Sequence, residues 1–512
     1  MSTGIQATIS TPSIAAVSRT RARISSIRDW ISGRECRPVP SSGAVCPYNF
    51  LSASFIPLKY GRIMGVQAMK IEPSCADNER PCRSFRARPS VVACSPDLPF
   101  YVRSFAMSAS ASGNAAVAQQ YEKWVYPAPL QDLSVPEVRA RRDGGDYERN
   151  WHTFFPEKPF RDDIDVLVAG CGSNAAARYA FNHPTARVTG IDLSSSSLAH
   201  EAFLKDKHKL NNLSLHQMRI EEIASLGKQY DFIDVSGVLH HLPDPVGGLK
   251  ALGSVLKPDG TIAIMIYGQY GRTGVYMLQE MFRLMGLGQS EADVVTVKQT
   301  LASLPKAHVV QGYVERTRDS KYDAGLVDSF LHRQDRAYTV QQCIDFAKDA
   351  GLSFMNWWDN ILYYPEGQLN INHEFYRRVN AMPERSIWQF MELYNGTLGQ
   401  HGFCVCHPSR PEKNYRVDFT TEAFMNYVPV RRCAEVRKEG LQEGSIALKR
   451  EPHPVYTLDP AAAKLFRQID GIKTVRQCFE ASGITGIDPV IACRVAFRYL
   501  WRLSYIFMKL PA

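Results

Sequence analysis

The chain has 512 residues, 45% hydrophobic and 22% charged, which is globular composition and more than one domain's worth of chain. Formal net charge is +9, but residues 1–106 carry 14 Lys/Arg against 6 Asp/Glu, so the rest is close to neutral and offers no broad electrostatic case for nucleic-acid binding. No run of eighteen apolar residues occurs, so no membrane-spanning helix is expected.

The first 28 residues hold Arg19, Arg21, Arg23 and Arg28, many Ser and Thr, and no acid before Asp29, the composition of an organelle transit peptide. Residues 29–106 stay rich in Arg, Ser and Pro without a sustained period, so 1–106 is expected to be a disordered leader without a packed core. A genuine leader predicts a plastid or mitochondrial protein; translation from Met107 predicts a cytoplasmic one. Cys36, Cys46, Cys75, Cys82 and Cys94 lie in the leader, and the other seven cysteines are scattered with no CxxC pair, which predicts reduced thiols. His401, Cys404, Cys406 and His407 form the one metal-like cluster in the sequence, but "FCVCHP" reads better as a buried strand, and no metal is expected.

Aromatic segments "YEKWVYP" (121–127) and "WHTFFPEKPF" (151–160) precede the first strand. From Asp165 strand-like and helix-like segments alternate. "DVLVAG" predicts a buried parallel strand and "AAARYAFNHP" a helix stopped at Pro184. "RVTGIDLS" is a second strand with Asp192 near its carboxyl end, followed by a Ser-capped helix. "LSLHQMRIEEI" predicts strand three, "YDFIDVSGVLHHLPDP" strand four, and "LKPDGTIAIMIYG" strand five after a Pro-Asp-Gly turn. This alternation predicts an α/β fold with a doubly wound, Rossmann-like parallel sheet and a ligand crevice at the carboxyl ends of its strands. Gly170 and Gly172 permit a tight turn against a ligand, and Asp192 suits two ribose hydroxyls. On these residues alone a nicotinamide dinucleotide and S-adenosylmethionine are both candidates.

The later segments separate the two. "VLVAGCGSN", "VTGIDLS", "YDFIDVSGVLHHLPDP" and "LKPDGTI", in this order and spacing, resemble the class I S-adenosylmethionine-dependent methyltransferases, strongly over about residues 160–268 and more weakly to about 410. The resemblance implies S-adenosylmethionine as cofactor and methyl transfer to a small-molecule acceptor through an O, N or S nucleophile. It places Ala169, Gly170, Cys171 and Gly172 along the methionine part, Asp192 at the ribose and Leu193 beside the adenine. Met218, Arg219 and Ile220 fall at the adenine edge, and Ser236, Gly237 and Val238 form the floor by the sulfonium. Two departures bear on cofactor binding: Val168 stands where the family often has an acid contacting the methionine amine, and Asn174 replaces a third glycine. They motivate a rival reading as a non-catalytic cofactor-binding protein. His240 and His241 sit in a turn that is usually structural in the family, yet either can titrate near neutrality, as a general base must. The early aromatics imply a lid with Tyr121, Trp124 and Tyr126, ordinary helix packing being the alternative.

Residues 271–340 predict a helical insertion after Tyr267, a further candidate on the substrate side. His332, Asp335 and Arg336 follow on a loop-like stretch, where His332 is a candidate proton acceptor and Arg336 a candidate holder of a substrate carboxylate, a salt-bridged surface turn being the alternative. Thr339 predicts the cap of a helix ending near Gly351, and "LSFMNWWDN" strand six. The start near "QYEKWVYP" and "VDSFLHRQDRAYT" resemble a bacterial-type group within the same family. The boundaries expected are 107–412 for the catalytic domain and 413–512 for a small α+β domain. There, helices opened by Asp459-Pro460 and capped by Thr474, then a third helix running into a strand, resemble PqqD-like winged-helix modules. That resemblance implies peptide or protein contact, and hence methylation of a recruited protein as an alternative. Arg494, Arg498 and Arg502 along one helical face supply the rival reading of DNA binding.

Overall fold

The computed structural model describes residues 112–135 and 146–511. The transit-peptide reading of 1–106 and the alternative start at Met107 lie outside the described residues.

Seven strands form the central sheet: β1 (Asp165–Ala169), β2 (Arg187–Asp192), β3 (Leu213–Gln217), β4 (Tyr230–Ser236), β5 (Leu256–Tyr267), β6 (Ser353–Trp357) and β7 (Gln400–Cys406), in the order β3-β2-β1-β4-β5-β7-β6. Pairing is parallel from β3 across to β5, and β7 runs antiparallel to both neighbours. The apolar runs of β1 and β4 are buried because helices cover both faces of the sheet. The strand order reverses between β1 and β4, which leaves a crevice at their carboxyl ends. In β7, Phe403, Cys404, Val405 and Cys406 are all buried, as the strand reading of "FCVCHP" requires. The two histidines of that stretch act as struts. His401 takes the Tyr363 hydroxyl at Nδ1 (2.9 Å) and donates from Nε2 to the Tyr338 carbonyl (3.1 Å), while His407 donates from Nε2 to the Leu256 carbonyl (3.0 Å).

Three expected boundaries shift. Strand three ends at Gln217, and Ile220–Leu226 coils into a 3-10 turn because the Glu222 carboxylate reaches back to the Arg219 amide (3.1 Å). Strand four ends at Ser236, and Leu239–His241 form another short turn. Pro258-Asp259-Gly260 makes an irregularity inside β5 instead of a turn before it, with the pairing slipping between Tyr230 and Phe232.

The insertion after β5 is helical, as expected: Thr273–Leu284, Glu291–Ser303, Gln311–Arg316 and Asp323–Phe330 pack around Val275, Leu278, Phe282, Val297 and Phe330. Thr339 caps helix Val340–Asp349 through a reciprocal pair with Gln342. Beyond residue 413, antiparallel pairing joins β8 (Val428–Arg431) to β12 (Ile506–Lys509), and β10 (Ile446–Lys449) to β9 (Ala434–Val436) and β11 (Tyr456–Leu458). Asp459, Thr474 and Asp488 cap helices Pro460–Arg467, Val475–Ala481 and Pro489–Arg502. These elements have a core of their own around Phe424, Phe466, Phe497 and Leu500, and they also grip the catalytic sheet's flank. Arg502 is buried against Glu366 (2.9 Å) and Asn380 (2.6 Å), and the Arg494 guanidinium lies over Phe424. The arginine stripe is therefore at least partly committed to packing. The seven described cysteines outside the leader are unpaired, and no helix among the described residues is long and apolar enough to cross a membrane.

Candidate active site

A cavity of about 480 Å³ opens at the β1/β4 crevice. Its first wall is backbone. Gly170 and Gly172 follow β1 with φ of +74° and +55°, a region that side chains rarely adopt. A Cβ on Gly170 would strike Val238, and one on Gly172 would lie 3.0 Å from Pro127 Cδ and the Tyr126 carbonyl. The turn thus fits only glycine and is pressed from above by the segment before the sheet. Asp192, at the end of β2, accepts from the Gly172 amide (2.8 Å) and the Ser194 amide (2.9 Å). Burial nonetheless pushes its carboxyl above the usual range, the mark of an acid held where a hydrogen-bonding ligand would complete its shell. Cys171, Leu193, Met218, Ile220, Ser236, Gly237 and Val238 line the same space. Ala169 lies in β1 beneath it, buried, and Arg219 is outside the lining, its guanidinium 3.5 Å from Glu221. A flat apolar slot beside a carboxylate and a Cβ-free turn fits a nucleoside whose ribose meets Asp192 and whose tail crosses the glycines.

Two acids that sequence reasoning passed over shape this wall. Asp234 of β4 stands opposite Val168 of β1 in register, lines the cavity, and accepts from the Tyr179 hydroxyl (2.7 Å) and the Ser236 hydroxyl (2.6 Å). Position 168 is apolar, yet a carboxylate sits one strand over. Glu201, fully buried, accepts from the Ala176 and Ala177 amides (2.9 and 2.8 Å) and so caps helix Ala175–Asn182 behind the glycine turn; burial pushes its carboxyl up to about 8.

The second wall comes from chain far away in sequence. Helix Ser112–Lys123 ends against the site, where the Glu122 carboxylate takes the Ser195 and Ser196 amides and the Ser196 hydroxyl (2.6 Å) at the start of helix Ser195–His208. The Ser173 hydroxyl donates to the Pro127 carbonyl (2.8 Å). So docked, Tyr121 and Tyr126 line the cavity, while Trp124 turns away and donates to the Gln289 carbonyl of the insertion (3.1 Å). The Tyr121 hydroxyl donates to Asp328 Oδ1 (2.9 Å) and the Tyr267 hydroxyl to Asp328 Oδ2 (3.0 Å). Burial, with the nearby Asp328 charge, raises both phenols well above the ordinary tyrosine value. Asp328, only 2% exposed, was also missed, although it sits one helical turn before His332.

Two histidines are oriented by the backbone of one residue, Gln334. The Gln334 carbonyl can only accept, so His241 Nδ1, 2.9 Å away, carries a proton and leaves Nε2 with its lone pair. The Gln334 amide can only donate, so His332 Nδ1, 3.0 Å away, is the acceptor and the neutral ring keeps its proton on Nε2, 3.4 Å from the Tyr121 hydroxyl. The rings stack at 3.8 Å. Burial, then His241 and Arg272, holds His332 well below the usual imidazole range. His241, Asp328 and His332 bring ligand-type atoms within 4.8 Å of one another, and the Tyr121 hydroxyl links Asp328 to His332 Nε2. His241 lines the cavity. His240 does not: it is wholly buried against Tyr267, with its ring far below the usual range for the same cause, burial. Asp335 and Arg336 also lie outside the lining. Asp335 is buried with Arg272 (3.4 Å) and Gln279 (3.0 Å), and Arg336 donates to the Pro243 carbonyl (2.9 Å).

Comparison with known proteins agrees with this geometry. A family model described as a methyltransferase domain matches residues 167–262, which run from β1 into β5. An uncharacterized protein of Synechococcus is 24% identical over 329 residues, 61% of this chain and 76% of that protein. A ubiquinone biosynthesis O-methyltransferase of Acinetobacter baumannii is 31% identical over 98 residues, 19% of this chain and 41% of that one. Among solved structures, PKMT2 from Rickettsia typhi in complex with AdoHcy superposes with a TM-score of 0.53 at 16% identity, covering 72% of this chain and 76% of its own, a likeness of fold.

Proposed function

We propose that this chain acts as a class I S-adenosylmethionine-dependent methyltransferase and methylates an oxygen or nitrogen of a small-molecule acceptor whose proton is taken by His241. The observation that carries this reading is the Gln334 carbonyl, which takes the Nδ1 proton of the cavity-lining His241 and leaves its Nε2 lone pair free to accept. Bound S-adenosylmethionine supplies an electrophilic methyl group on a sulfonium. Asp192 would hold the ribose hydroxyls and Gly170 and Gly172 would let the tail pass close to the backbone. Asp234 is placed to receive the α-ammonium in the role that Val168 lacks.

The rest is positioning. Tyr121 and Tyr267, tethered to the two oxygens of Asp328, line the acceptor half of the cavity in fixed positions. His241 Nε2 accepts the acceptor's proton as its heteroatom attacks, and Gln334 and the stacked His332 hold the ring in place. The docked helix Ser112–Lys123 covers part of the cavity through Val117 and Tyr121, which favours a small acceptor over a polypeptide side chain delivered from outside. A screen of small phenols, hydroxy acids and amines with isotopically labelled cofactor tests the reading. Turnover that is lost in His241→Gln with cofactor binding retained supports it; labelling of proteins alone contradicts it.

A further inference from the structure

A second cavity, about 300 Å³, lies where the C-terminal elements meet the catalytic sheet. Rings make up part of its wall: Trp357 at the end of β6, Trp358 after it, Trp388 from helix Glu384–Asn395, Trp501 from helix Pro489–Arg502, and Phe507 of β12; Glu384 and Glu412 line it as well, each already paired, with the Tyr364 hydroxyl and with Arg416. Trp358 also lines the first cavity, so it stands between the two.

Three observations point to an occupant. First, Arg432, just beyond β8, lines the cavity with its guanidinium 4.6 Å from the Phe507 ring centroid, and it donates to two neutral acceptors, the Trp358 carbonyl (3.3 Å) and Asn150 Oδ1 (2.6 Å). Asp359, whose charge also reaches Arg432, makes its bonds to Arg450 (2.7 Å) and His453 (2.9 Å). A guanidinium embedded in aromatic walls with neutral partners is complementary to an anion. Second, the Trp357 indole N–H is buried without an acceptor, and His152 Nδ1 is buried without a partner. Third, Asn356 gives its Nδ2 to the Thr153 carbonyl (3.0 Å), which fixes its Oδ1 as a buried acceptor without a donor. Indole walls suit a flat ring, the guanidinium suits a carboxylate, and the Asn356 oxygen suits a hydroxyl.

We propose that this cavity is a second ligand site, distinct from the methyl-transfer cavity, which takes a small hydroxylated aromatic carboxylate with its acid on Arg432. A ligand there rests on Trp358, and through it on the wall of the first cavity.

The test titrates the full chain with 6-hydroxy-2-naphthoate and with the uncharged 6-hydroxy-2-naphthamide, followed by tryptophan fluorescence and calorimetry, with and without saturating S-adenosylhomocysteine. The expected result is saturable 1:1 binding of the acid at least tenfold tighter than the amide, undisturbed by S-adenosylhomocysteine. Arg432→Met should abolish the preference, and Arg432→Lys, which keeps a charge if the first variant fails to fold, should retain part of it. Absence of saturable binding, equal affinity for acid and amide, or displacement by S-adenosylhomocysteine overturns the proposal. Because none of these readouts uses turnover, the second site and the His241 mechanism fail independently.

Discussion

The two walls of the main cavity are built in opposite ways. The cofactor wall is built around a backbone turn and drawn from one stretch of chain, residues 170–238, from the end of β1 to just past β4, and its shape follows from glycine conformation and strand ends. The acceptor wall is side chains only, gathered from residues 121–126, 241, 267 and 328, and held by hydrogen bonds spanning more than 200 positions in the chain. A wall of backbone serves any chemistry that uses the same cofactor, whereas a wall of side chains is where the choice of acceptor resides. Substitutions in the two walls should therefore separate cleanly, the first moving cofactor affinity and the second moving turnover.

The largest separation is expected at His241. Replacement by Gln removes the base and should lower kcat by about 10²- to 10⁴-fold in single-turnover assays, while the calorimetric affinity for S-adenosylhomocysteine stays within about twofold. Asp192→Ala is the converse. It removes charged hydrogen bonds to the ribose, each on the order of 1.5–3 kcal/mol, and should weaken cofactor binding by about 100-fold in the same titration. A smaller effect sharpens the cofactor wall itself: Asp234→Val should cost about tenfold in affinity for S-adenosylhomocysteine, one charge-assisted bond, and Val168→Asp added to it should recover most of that loss because the two positions face each other across β1 and β4. If the double variant stays as weak as the single one, Asp234 does not serve the ammonium.

The smallest effect is on stability. Glu201 has its carboxyl raised from the ordinary 4.5 to about 8 by burial, so the folded chain binds its proton more tightly than the unfolded one. The stability it contributes is fully present below the unfolded value and is lost as pH rises through about 8. Thermal unfolding should thus show a wild-type Tm that declines from pH 5 to pH 9 relative to Glu201→Gln, whose side chain does not titrate; a constant difference across that range contradicts the assignment.

Legibility in the sequence followed the same division. The parallel sheet, the glycine turn and Asp192 were readable because a strand, its turn and the following helix are neighbours in the chain. Strand three was read too long: Ile220 and Ile223 stand at i, i+3, a helical spacing, and the Glu222–Arg219 bond closes the segment into a turn. Val168 was legible as a loss, but its replacement was not, since Asp234 lies across a register that only the sheet defines. His240 and His241 are adjacent and looked equivalent; burial against Tyr267 and the Gln334 carbonyl separate them. Asp328 was overlooked beside His332 because its partners, Tyr121 and Tyr267, lie 207 and 61 positions away.

The most direct test of the account is a crystal structure of the full chain with S-adenosylhomocysteine. The account predicts the ribose on Asp192, the amino group at Asp234, and the sulfur turned toward the space between Tyr267 and His241 Nε2. A sulfur pointing away from His241, or an adenine lodged among Tyr121, Tyr267 and Asp328, would contradict it.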